Sequence, residues 1–151
     1  MERLLSRDEY NTAKPFIRAL RNRDDDPPRV VPPGDNFGDA KPQRCALNAV
    51  EYCELNSDFE PVMGFKIWVV PEMKYDPGLS PYIAVVHVVV RHKKNTGEYR
   101  DVTPPDPGDE GQNMIFVPSS RIYPGWQVSE IADYIKNDLN IRMGGVCTGP
   151  F

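Results

Sequence analysis

The sequence predicts an α+β domain in which helices pack on an antiparallel sheet. Three observations carry that expectation. Apolar residues recur at helical spacing in two segments, 6–22 and 42–55, while short β-branched and aromatic runs at 64–70, 82–91 and 114–117 have strand character. The 16 prolines and 11 glycines interrupt any long helix, which excludes a coiled coil or long-helix bundle. The 151 residues suffice for one buried core and leave little room for two. The expected organisation is an N-terminal helix and proline-rich arm over 1–40, followed by an α+β core over 41–151.

The opening helix is expected over 6–22. Ser6 and Glu9 have capping-box spacing, and Ala13, Phe16, Ile17 and Leu20 share one face, although Pro15 interrupts it. The charged, proline-rich stretch over 24–42 reads as an extended arm without regular structure, long enough to border a site instead of only linking two elements. A helix over 42–55 brings Cys45, Ala49 and Tyr52 onto one face, with Cys45 in its first turn. The strand over 64–70 alternates and stops at Pro71. The run over 82–91 is the firmest strand, because its β-branched content suits a central position. A hairpin through His92 to Gly97, with Gly97 at positive φ, leads to a strand over 98–102. A short strand over 114–117 and a helix over 128–139 complete the pattern.

Composition also excludes function classes. A formal charge of -4, from 18 basic and 22 acidic residues, supplies no basic field for nucleic acid. No apolar run reaches membrane-spanning length, and the N-terminus lacks a signal-peptide core. Cys45, Cys53 and Cys147 are too few and too widely spaced for a disulfide scaffold, which favours a reducing, cytoplasmic location; secretion would require a signal already removed. No cofactor is expected. His87 and His92 are five residues apart and face opposite sides of a regular strand, so a metal site is not expected either.

The candidate chemistry centres on Cys45, His87 and Asp101. A thiolate nucleophile needs a base, and the base is commonly oriented by an acid. Cys45 lies where a helix N-terminus lowers a thiol pKa. His87 interrupts an apolar strand and needs a hydrogen-bond partner there, which Asp101 supplies if the hairpin loop has odd length or carries a bulge at Gly97; an unbulged even loop would separate their faces. Gln43 and Asn48, with the Cys45 backbone N–H, are candidate oxyanion donors. Trp68 and Tyr82 are candidate groove-lining aromatics. Cys53, Cys147 and His92 read as structural, the last in an exposed turn.

The segments RCALNAVEYC, AVVHVVVRH and GEYRDVTP resemble the transglutaminase-like and papain-like superfamily of Cys-His-Asp thiol enzymes over 43–104. The resemblance implies a compact papain-like or transglutaminase-like core, in which the helix carrying Cys45 packs against an antiparallel sheet. It implies a thiol-dependent hydrolase or acyltransferase acting on an amide or peptide-like substrate, in the manner of a cysteine peptidase, amidase or transglutaminase. A peptide or protein substrate and a monomer or weak homodimer are the expected partners. The competing expectation is a noncatalytic protein-binding module, which requires an exposed apolar or edge-strand surface around Ile67, Trp68 or Met114 to Val117.

Overall fold

Two eleven-residue strands, β3 (Phe59–Val69) and β4 (Tyr82–His92), form the spine of the molecule. The computed structural model describes residues 3–21, 26–34, 40, 44–71, 81–105 and 108–119. Pairing runs without interruption from Phe59↔His92 to Val69↔Tyr82, so the two-residue alternation of side chains is maintained along the whole ladder. The expected strand over 64–70 thus begins at Phe59. Its extension is supported by Arg91, which donates to Glu60 across the pair, and by edge contacts of the Phe59 ring with Tyr52 and His92.

The other strands are short. They are β1 (Arg3–Leu4), β2 (Arg29–Val31), β5 (Tyr99–Arg100) and β6 (Met114–Pro118). The sheet order is β2-β6-β3-β4-β5, with β1 also pairing β3, and every pair is antiparallel. The proline-rich arm therefore corrects an expectation, since it contains a strand where irregular chain was expected. Pro28 and Pro32 bracket Arg29–Val31, and a strand bonded through one edge tolerates prolines at its ends.

Two helices cover one face. In α1 (Tyr10–Leu20), Ala13, Ile17 and Leu20 bury against Phe65, Ile67, Val69, Ala84 and Val86. A 3-10 turn at Arg7–Glu9 precedes it, and the Ser6 backbone N–H and hydroxyl both donate to Glu9 Oε1, at 3.2 and 2.9 Å. Pro15 lies inside α1. An interior proline costs a helix roughly 3 kcal/mol, and burial of Ile17 and Leu20, about 1.5–3 kcal/mol each, offsets it.

Farther along the same face, α2 (Cys45–Leu55) packs Cys45 and Ala49 into a cluster with Phe59, Val88, Val90 and Val102. The opposite face carries Leu4, Val31, Val89, Tyr99, Met114 and Phe116. The expected helix over 128–139, the tail and Cys147 lie outside the described residues.

The β4–β5 turn differs in detail from expectation. Gly97 does not take positive φ; among the described glycines Gly108 and Gly111 do. The turn is instead held by His92, whose Nδ1 accepts the backbone N–H groups of Lys94 and Asn95 at 3.2 and 3.0 Å.

Candidate functional site

The hairpin register decides which side of the sheet each candidate side chain occupies. Val90↔Arg100 and Arg91↔Tyr99 place Asp101 diagonally across from His87 on a common face. His87 Nε2 and Asp101 Oδ1 are 3.1 Å apart, and His87 is only 3% exposed. The Thr103 backbone N–H donates to the same Oδ1 at 3.1 Å. A carboxylate oxygen accepts, so His87 Nε2 is the donor in this bond.

The dyad is tied to α2. Thr103 Oγ1 accepts from Asn48 Nδ2 at 3.0 Å, within the buried interior. A chain of hydrogen bonds thus runs from α2 through Thr103 and Asp101 to His87. Asn48, expected as an oxyanion donor, spends this N–H on holding the Asp101 segment. Gln43, the other candidate, lies outside the described residues.

Cys45 is the first residue of α2, with Arg44 as N-cap, and is fully buried. Two features set it apart from the expected nucleophile. Its sulfur is disulfide-bonded, so this state holds no thiol at that position. This also departs from the expectation of reduced cysteines. In addition, Cys45 clusters with Val88 and Val90, whereas strict alternation along β4 sends His87 to the other face with Val89. Cys53 is a free, half-buried thiol, and burial raises its pKa, the direction that disfavours the thiolate.

The N-terminal arm reaches the dyad. A Cβ on Gly34 would lie 2.0 Å from the Asp101 carbonyl oxygen, so only glycine fits where the arm crosses this segment. Asp101, Gly34, Pro33, Val31 and Met114 line a cavity of about 30 Å³. That volume accommodates about one or two water molecules, not an acyl substrate. The arm is anchored nearby by Asp26, which accepts from the Tyr99 hydroxyl and from Arg91, both at 2.6 Å. The Tyr99 bond, then the arginine, holds the Asp26 carboxyl below its ordinary range.

Asp26, Gly34 and Thr103 were not among the sequence candidates. The spacing of Asp101 and Thr103 was a usable signal, because an aspartate commonly accepts the N–H two residues on. Asp26 and Gly34 act across long sequence separations that no local pattern reports.

The aromatic candidates do not share a groove. Tyr82 packs on Phe16 within the α1 core, with ring centroids 5.5 Å apart, whereas Trp68 lies on the opposite face beside Leu4. The surface required for sheet-edge binding is also missing at two of its three places. Ile67 and Met114 to Val117 are buried, Met114 to Val117 because β6 lies between β2 and β3. Among the described residues, no group of three or more metal-ligating side chains converges, and no helix is long and apolar enough to cross a membrane.

The fold and site define an α+β domain with a helix packed on an antiparallel sheet and a buried histidine bonded to a half-buried aspartate. The chain matches no family model, no curated protein and no solved structure.

Proposed function

We propose that this chain is a thiol-dependent hydrolase or acyltransferase for an amide or peptide-like substrate, with Cys45 as nucleophile, His87 as base and Asp101 as its orienting acid. The observation that carries the reading is the hydrogen bond between the buried His87 and Asp101, linked through Thr103 and Asn48 to the helix that Cys45 begins. The resemblance of the three segments to papain-like and transglutaminase-like enzymes supports the same roles.

In the proposed reaction His87 Nδ1 takes the Cys45 proton and the thiolate adds to the substrate carbonyl carbon. The amide C–N bond then breaks, the amine leaves with the proton returned by His87, and water or a second amine releases the acyl group from sulfur. Two conditions follow from the geometry. The Cys45 disulfide must first be reduced by an external thiol. The N-terminus of α2 must also meet His87 around the β5 edge, where Asp101 and Thr103 have left the ladder. Cytoplasmic placement is part of the proposal only for the reduced chain, because disulfides rarely persist in the cytosol.

A noncatalytic protein-binding domain is the second reading. It is favoured by the β4 register, which directs His87 away from the face on which α2 packs, making the His87–Asp101 pair a structural clamp. Turnover separates the two. Wild type, Cys45→Ser and His87→Ala, all under reducing conditions, are compared on a panel of peptide and glutamine-containing acyl substrates. The enzyme reading expects both variants to lose at least about a hundredfold in kcat/KM; equal turnover by all three defeats it.

A further inference from the structure

The two helices differ in what they turn outward. In α1 the outward positions Asn11, Lys14 and Arg18 are polar and exposed, as a helix covered on one side requires. In α2, Cys45 and Ala49 pack against the sheet, yet Leu47, Val50 and Leu55 on the far side are 41, 47 and 75% exposed. Among the described residues Val30 is the one other large apolar side chain so exposed. Positions 47, 50, 51, 54 and 55 follow helical spacing and form one surface, and a helix apolar on both sides is normally covered on both. Single exposed leucines need no partner, whereas a contiguous set on one helix marks an interaction surface.

Two carboxylates lie within this surface. Glu51 and Glu54 occupy the C-terminal half of α2, where the backbone carbonyls already place partial negative charge, and the last turn carries no basic residue. Neither forms an ion pair among the described residues. Arg44 stands at the opposite end of α2 as its N-cap, and Lys93 lies on the flank where its charge acts on Cys53. The surface therefore calls for apolar contact along its length and positive charge toward its C-terminal end. A second copy of the chain does not supply this, because α2 set against its twofold mate brings the glutamates of both copies into one interface. The helix expected over 128–139 does not supply it either, since Glu130, Asp133 and Asp138 outweigh Lys136.

We infer that the outer face of α2 docks a cationic amphipathic helix of a partner protein, whose apolar side chains lie against Leu47, Val50 and Leu55 and whose lysines or arginines pair with Glu51 and Glu54. Such a helix suits the surface because its own apolar residues recur at the same spacing and interleave with these. Its basic side chains compensate both the carboxylates and the negative end of α2. The surface lies opposite the side of α2 that buries Cys45, so the inference stands independently of the thiol reading.

The test is a nitrogen-15 NMR titration of the full chain with a synthetic helical peptide of leucines and lysines in amphipathic spacing, and with its counterpart bearing glutamate at every lysine. The lysine peptide is expected to give saturable shifts centred on Leu47, Val50, Glu51, Glu54 and Leu55. The glutamate peptide is expected to bind at least about tenfold more weakly, as is the lysine peptide to Leu47→Ser. Glu51→Lys combined with Glu54→Lys is expected to reverse the preference between the peptides. Shifts spread over acidic residues elsewhere, equal binding of the two peptides, undiminished binding by Leu47→Ser or an unchanged preference in the charge-reversed protein would overturn the inference. Concentration-dependent shifts at the same residues without peptide would overturn it too, by assigning the face to a second copy. Leu47 is exposed, so its variant carries the test even if the double variant fails to fold.

Discussion

Asp101 Oδ1 collects two donors, the His87 ring and the Thr103 backbone, and that convergence keeps a histidine within an apolar strand. Burying a polar ring without a partner costs several times a typical hydrogen bond's net worth, so the need for a partner could be inferred from VVHVV before its identity was visible. Cys45 is the contrasting case. Its place at a helix start followed from the sequence, but its disulfide did not, because pairing depends on positions brought together by the fold. Glu9 provides a residue-scale test of the N-terminal packing. The Arg3 hydrogen bond, aided by Ser6, lowers its pKa from 4.5 to about 2. Its stabilising contribution is therefore complete above the unfolded value and lost as pH falls through about 2. Arg3→Ala should move the Glu9 carboxyl titration, followed by carbon-13 NMR, back toward 4.5 and shift acid unfolding to higher pH; an unmoved titration would refute this assignment of cause.

At the level of elements, β3 and β4 were readable because alternation and β-branched content are local properties. β1 and β2 were not, since two- and three-residue strands exist only through partners far along the chain. Gly64 shows how such pairing restricts a residue. It sits opposite His87, and a Cβ there would be 2.2 Å from the Val117 carbonyl oxygen and 2.8 Å from the Phe116 ring. Gly64→Ala should destabilise the fold by about 2 kcal/mol or more, measured by urea denaturation, because β3 and β6 must separate to admit the methyl group. An unchanged midpoint would show that the β3–β6 contact yields more easily. The hydrogen bond between Asn48 and Thr103 links helix to sheet in a similar way. Asn48→Ala should cost about 1–3 kcal/mol by leaving the buried Thr103 hydroxyl without this donor, and an unchanged urea midpoint would remove Asn48 from the account.

Across the whole molecule, the two faces of the sheet divide the candidate groups. Cys45 belongs to the cluster under α2, and His87 and Asp101 lie opposite it, near the face crossed by the N-terminal arm. Sequence spacing put Cys45 on a helix, His87 on a strand and Asp101 on the next strand, whereas β5 ends at Arg100 and Asp101 follows it. Whether their side chains converge depends on β4 parity and helix placement, which order alone does not specify. The expected division between an arm over 1–40 and a core over 41–151 also takes on a different meaning, because β1, α1 and β2 all contribute to the sheet or its core. The central claim is that Cys45, once reduced, is activated by His87. It is tested most directly by the rate of iodoacetamide alkylation at Cys45, read by peptide mass spectrometry in the reduced wild type and in His87→Ala. The account predicts alkylation of Cys45 at least about tenfold faster than of Cys53, with that advantage lost in His87→Ala; equal Cys45 rates in the two proteins would contradict it.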